Sequence, residues 1–313
     1  MPALTLESSS LLPNLLAKRR RFFEDCTAFR VSHHEVLPPL TIDYYAGYLL
    51  LTHYEGGSQE RLPDLAQSLA SILAQFNLSI RGAIKKFRPE NLSHTPSEAR
   101  SQPQLLFGEM PPERFVAREY DLKFLVSFHS GFASGLFLDI KHARQRVQQI
   151  TKSGDEVLNL FSYTGGFSLA AAKAGAARVI EVDSSAHWLR WARENQVLNE
   201  ATTIRQRQED AVAFLHKQKD ESFDLIICDP PTYSSQKSGA RFTVAKGFEA
   251  MLPDLHRVLR PNGLLLACTN YRELPRGKFF KLFAPKFSLQ EEIPISEDFD
   301  GEDYLKVGLL RKA

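Results

Sequence analysis

The apolar residues of this chain change rhythm along its length. In LPDLAQSLASILAQF (62–76) the leucines return every third or fourth position behind Pro63 and Asp64, which predicts an amphipathic helix. Before it, TAFRVSH (27–33) and GYLLLTHY (47–54) are short runs of strand-forming residues, and NLLAKRRRFF (14–23) opens the chain as a basic amphipathic segment. RPENLSHTPSEARSQPQ (88–104) is polar and broken by prolines, and reads as a loop or linker. FVAREYD (115–121) and LKFLVSFH (122–129) alternate as strands and lead through a glycine-containing turn into GLFLDIKHARQRV (135–147).

After residue 154 the pattern becomes regular. VLNLF, RVIEVD, TTIRQR, FDLIICD and GLLLACT alternate with helical stretches, and FSLQEEIPI and YLKVGLLRK follow as two closing strands. Strands separated by helices of ten to fifteen residues imply an α/β architecture with a mostly parallel sheet covered on both faces. We therefore expect a smaller α/β unit over 1–105 and a doubly wound domain over 106–313, the latter starting with a hairpin extension at 112–145.

Composition narrows the class without naming a partner. The 313 residues are 43% hydrophobic and 24% charged, as in a soluble globular protein, and no apolar run is long enough to span a membrane. Three widely spaced cysteines, Cys26, Cys228 and Cys268, form no CxxC pair, which fits free thiols in a reducing cytoplasm. Nine histidines, His33 and His34 among them, show no metal-ligand spacing, so no metal is expected. A formal charge of +2 leaves nucleic-acid affinity to local patches.

The unusual residues fall at strand ends, where doubly wound sheets bind ligands. NLFSYTGGFS (159–168) places Gly165 and Gly166 in a tight turn before an alanine-rich helix, without the GxGxxG spacing of a pyrophosphate cradle. Asp183 closes the next strand, where an acid can bind both hydroxyls of a ribose. Asp210 stands at a helix start within reach of an adenine amino group, and Asp229, Pro230 and Pro231 end the fourth strand. Asp183 and Asp210 are equally suited to capping helices, and Asp229 to closing a strand-end turn.

Glycine turn, ribose acid, adenine acid and DPP, in that order, resemble class I S-adenosylmethionine-dependent methyltransferases. LPNLLAKRRRFF, GLFLDIKHARQRV, VLNLFSYTGGFSLAAAKAGA, WLRWARENQVLN and CDPPTYSSQKS are similar to the large-subunit ribosomal RNA methyltransferases, above all to the guanine-N7 domain of the bifunctional rRNA guanine methyltransferase. The resemblance implies a Rossmann-like seven-stranded sheet with an antiparallel last strand, S-adenosylmethionine as cofactor and 23S rRNA as partner. It implies a cofactor site of Lys141, Arg144, Asn159, Phe161, Tyr163, Thr164, Gly165, Asp183, Ser184, Asp210, Ala211 and Asp229. Lys141 stands where FLDxRxxR usually has arginine, and HEVLPPL (34–40) replaces a glycine-rich segment.

The base would be handled by Asp229, the stiff Pro230–Pro231 turn, Tyr233 stacking on an extruded guanine, and Asn270 at its edge. Cytosine-C5 transfer is the alternative. It needs a thiolate, and Asn270 occupies the position where the cytosine enzymes carry theirs, with Cys268 two residues deeper in the strand. An RNA-binding module with a decayed pocket is a further alternative. For RNA, AKRRRFF (17–23) and IRGAIKKFR (80–88) interleave basic and aromatic residues, giving Arg19, Arg20, Arg21, Lys85 and Lys86 as candidates together with Arg272.

Overall fold

The computed structural model describes residues 6–54, 59–89, 102–131, 133–231, 244–299 and 301–313, with side chains from residue 13 onward. The chain divides into two compact units, Met1–Leu138 with Ser296–Asp300, and Asp139–Ile295 with Gly301–Ala313.

In the first unit, α1 (Leu6–Arg19) and α2 (Arg21–Asp25) precede β1 (Ala28–His33), β2 (Leu40–Tyr45) and β3 (Tyr48–His53). Then follow α3 (Leu62–Ala74), β4 (Gly82–Phe87), β5 (Gln104–Gly108), β6 (Phe115–Glu119) and β7 (Leu122–Val126). The first five strands form one sheet in the order β1-β2-β3-β4-β5, with β3 and β4 parallel across the α3 crossover. Leu62, Leu65, Leu69 and Leu73 are the buried stripe of α3 and pack into a core with Phe29, Ile42, Leu49 and Leu51. Removing each of these large side chains from water contributes about 1.5–3 kcal/mol.

Two expectations change here. Within IRGAIKKFR, Gly82–Phe87 form strand β4, with Ala83, Ile84 and Lys86 buried in the sheet and only Lys85 of its two lysines half-buried. The hairpin β6–β7 belongs to the first unit, so the division falls at residue 138 instead of 105. The cause is local pairing. Cys26 forms a bridge with Glu119, Thr27 N–H donates to Arg118 C=O at 2.7 Å, and the Phe115 ring lies 5.2 Å from that of Tyr48.

In the second unit, α4 (Lys141–Ile150), β8 (Glu156–Leu160), α5 (Gly166–Lys173), β9 (Arg178–Asp183), α6 (Ala186–Leu198), β10 (Ile204–Gln208) and α7 (Ala211–His216) alternate. They continue through β11 (Phe223–Cys228), α8 (Val244–Val258), β12 (Leu259–Thr269), α9 (Arg276–Lys281), β13 (Phe287–Glu292) and β14 (Lys306–Lys312). The seven strands lie in the order β10-β9-β8-β11-β12-β14-β13, with β14 inserted antiparallel between β12 and β13. The other neighbours are parallel, which is the expected sheet.

Strand alternation sends neighbouring side chains to opposite layers. Leu158 and Leu160 join the core made with Phe214 of α7 and Phe248, Met251 and Leu255 of α8. Asn159, between them, donates from Nδ2 to Ser168 Oγ of α5 at 2.8 Å. The parallel tips of β8, β9, β10 and β11 all point the same way, and the polar residues gather there.

Candidate active site

The turn after β8 is built from unusual backbone. Phe161 (φ 58°), Tyr163 (φ 51°) and Gly165 (φ 81°) all adopt left-handed conformations, two of them without glycine's freedom. Surrounding contacts hold the turn in place. Ser162 N–H donates to Val182 C=O at 3.0 Å, Asn195 Nδ2 to Thr164 C=O at 3.0 Å, and the Tyr163 ring packs 4.6 Å from Trp188. Gly165 is also sterically required, because a Cβ there would lie 2.9 Å from Glu181 Oε2.

Asp183, at the tip of β9, ties this turn to the next helix. Its Oδ2 accepts Tyr163 N–H at 3.0 Å and its Oδ1 accepts Ser185 N–H at 2.8 Å. Burial raises its pKa, against the lowering effect of those N–H groups and that of Ser184. Each carboxylate oxygen can accept a further hydrogen bond, as two ribose hydroxyls would require. Ser184 beside it is exposed.

Asp210 caps α7, its Oδ1 accepting Ala213 N–H at 2.9 Å, so the capping role anticipated for it is real, and the residue is exposed. The Ala211 side chain sits in the core, leaving its backbone as the part that can face a ligand. Behind the turn, Glu181 is fully buried: Oε1 accepts Gln196 Nε2 at 2.6 Å and Gln206 Nε2 at 2.8 Å. Burial pushes its pKa up more than these partners lower it. Sequence reading missed Glu181, because a lone acid inside a strand carries no motif.

On the other side, Asp229 ends β11 half-buried, followed by buried Pro230 and exposed Pro231. Burial, reinforced by the charge of Asp139 and opposed by Arg144, pushes its carboxyl up to about 7. Lys141 and Arg144 of α4 are almost wholly buried, at 0% and 4% exposure. Asn270 follows the tip of β12 and is exposed, while Tyr233 lies outside the described residues. Among the described residues no three His, Cys, Asp or Glu are grouped as a metal would need, and no helix is long and apolar enough to cross a membrane.

The basic candidates separate by burial. Arg19 is 1% exposed, bound to Glu35 at 2.7 Å and to Asp298 C=O at 3.2 Å, so it serves the first unit's core and cannot meet RNA. Lys86 is likewise buried, its ammonium capping the carbonyls of Phe128 and Gly131. Arg20 is exposed; Arg21 is exposed beside Glu297, and half-buried Lys85 reaches Gln59 at 3.3 Å. Arg272 is exposed, pairs with Glu302 at 2.9 Å and covers the Tyr304 ring at 4.5 Å.

A left-handed glycine turn, an acid at the next strand tip and a helix-capping acid after the third lie at one end of this sheet, where doubly wound folds bind ligands. The profile of the S-adenosylmethionine-dependent methyltransferase family matches residues 21–283, and the chain belongs to that family. YwbD of Bacillus subtilis, named for a ribosomal RNA large subunit methyltransferase, is 30% identical over 97% of this chain and 80% of its own length. Ribosomal RNA large subunit methyltransferase I of Vibrio vulnificus (strain YJ016) is 31% identical over 79% of this chain and 62% of its own. The chain thus matches less than two thirds of that enzyme. Among solved structures, a methyltransferase crystallised with SAH superposes with a TM-score of 0.81 at 24% identity, covering 99% of this chain and 82% of that one. An S-adenosylmethionine-dependent methyltransferase of Streptococcus mutans gives 0.78 at 23%, with the same coverage. At those identities the likeness speaks for the fold.

The residues present fit the cofactor. Asp183 keeps acceptor capacity for ribose hydroxyls, beside a turn that the left-handed Gly165 makes possible.

Proposed function

We propose that this methyltransferase acts in the cytoplasm on large-subunit (23S) ribosomal RNA, methylating guanine N7 without a covalent intermediate. The RNA is supported by the relatives' names, which do not specify the atom. The observation that carries the choice of atom is the burial of every thiol in the sequence: Cys26, Cys228 and Cys268 are each 0% exposed. Burial, with the charge of Asp229 added, pushes the Cys228 and Cys268 thiols well up, opposite to what a nucleophilic thiolate needs. Cytosine-C5 transfer would begin with that thiolate. Guanine N7 needs none.

Bound S-adenosylmethionine supplies an electrophilic methyl on its sulfonium. The turn at 161–165 and Asp183 hold the adenosyl end, Asp210 and the Ala211 backbone the adenine, and Lys141 and Arg144 the carboxylate. Asp229, Pro230, Pro231 and Asn270 align the guanine, with Tyr233 available to stack on it, so that catalysis comes chiefly from orientation. The N7 lone pair forms the new bond to carbon while the carbon–sulfur bond breaks with its electrons left on sulfur. Positive charge passes to the base, and no proton leaves. Arg20, Arg21, Lys85 and Arg272 remain as phosphate contacts.

The test is nucleoside mapping of 23S rRNA from a deletion strain complemented by the wild type or by Cys268→Ser. One 7-methylguanosine should vanish on deletion and return with both proteins. A vanished 5-methylcytosine, restored only by the cysteine form, would overturn the reading.

A further inference from the structure

β8, β9 and β10 pair in register so that Asn159, Glu181 and Gln206 stand side by side across three strands. All three side chains turn to the helices that cover this face. Asn159 reaches Ser168 of α5 at 2.8 Å, Gln206 Nε2 donates to Leu189 C=O of α6 at 2.7 Å, and Gln196 Nε2 of α6 donates to Glu181 Oε1 at 2.6 Å. Asn195, the residue before Gln196, donates from Nδ2 to Thr164 C=O in the turn after β8. One stretch of α6 thus holds both the buried row and the turn.

Glu181 is the member of the row that reaches the turn itself. Oε1 carries both glutamine bonds, and Ser168 acts on the carboxyl only from beyond hydrogen-bonding distance, which leaves Oε2 without a partner among the described residues. That oxygen lies under Gly165: a Cβ there would come within 2.9 Å of Oε2 and 3.2 Å of the Ala192 Cβ. An apolar side chain such as Val179, buried two residues earlier on the same face of β9, would fill the space without stranding a polar atom. A wholly buried carboxyl in that position burdens the fold and calls for a role.

We propose that Glu181 is a positioning residue for the cofactor: its carboxyl floors the 161–165 turn from within the sheet, while Asp183, at the tip of the same strand, fixes that turn at Tyr163. The inference rests on the placement of the adenosyl end at this turn and adds a residue that touches no ligand. Phe161 and Tyr163 hold left-handed backbone without glycine's freedom, so the turn keeps its shape only with support. A turn set before the ligand arrives spares binding the cost of ordering it.

The test is calorimetry of S-adenosylhomocysteine binding at pH 7, with affinity read per folded molecule from the stoichiometry. Glu181→Ala, which empties the floor and frees Gln196 and Gln206, should weaken binding at least threefold. Glu181→Gln should return it to within twofold of wild type, because its carbonyl takes both amides and its nitrogen refills the space under Gly165. A carboxyl that served stability alone would lower the unfolding temperature in the Ala variant and leave this affinity unmoved. Should Glu181→Ala not fold, Gln196→Ala, which removes the arm from α6, decides the matter with an expected loss of twofold or more. A smaller loss in the variant that is read, or a Gln form no tighter than the Ala form, overturns the proposal. Asp183→Asn measured alongside separates the two readings. If it loses affinity while the Glu181 variants do not, only the role of Glu181 fails; if neither moves, the placement of the adenosyl end at this turn fails with it.

Discussion

Asp183 at the tip of β9 accepts the backbone N–H of Tyr163 at 3.0 Å, so the acid suited to bind the ribose also fixes the turn that cradles it. Substitution should therefore damage the site twice. Asp183→Asn, which keeps one carbonyl acceptor, should weaken S-adenosylmethionine binding at least tenfold, about 1.4 kcal/mol or more. Calorimetry checks this, and an affinity within threefold of wild type would remove Asp183 from the cofactor site.

Gly165 is held at φ 81° against Glu181 Oε2. Gly165→Ala should cost about 1–3 kcal/mol of stability from the backbone conformation alone, with further loss from the close contact. Thermal unfolding of the ligand-free protein measures it, and cofactor affinity should fall in parallel.

Glu181 gives a pH signature. Its folded-state pKa is raised by burial, so its favourable contribution as a neutral acid is complete below the ordinary carboxylate range and is lost as pH rises through the raised value. Glu181→Gln should flatten that part of the stability curve and keep the fold. Glu181→Ala leaves Gln196 and Gln206 without their shared acceptor and should destabilise by about 2–4 kcal/mol. Urea titrations across pH distinguish the two variants.

Arg19 and Arg20 are neighbours with opposite fates. Arg19→Ala strands Glu35 and should cost about 1–3 kcal/mol in urea unfolding without changing RNA affinity per folded molecule. Arg20→Ala should leave stability within about 0.5 kcal/mol, as exposed substitutions do, and reduce RNA binding in filter assays at low salt.

What the chain discloses before folding follows from which signals are local. The parallel sheet was legible because each strand and helix carries its own period, and Asp183, Asp210 and Asp229 because strand ends are marked by the residues that follow them. KRRR was misread at Arg19, since sequence cannot show that this one guanidinium turns inward to Glu35, 16 positions away. Lys85 and Lys86 hid a strand behind two charges, one of which is buried against carbonyls more than forty residues downstream. Glu181 is held by Gln196 and Gln206 from two other elements, and no spacing rule could pair it with them.

The insertion of β14 between β12 and β13 has a consequence for biosynthesis. A nascent polypeptide that has emerged only as far as residue 300 holds β12 with one flank unbonded and β13 with no neighbour at all. Unsheathed strand edges of that kind recruit other chains. Until residues 306–312 emerge, both of those edges stay open to pairing with other chains.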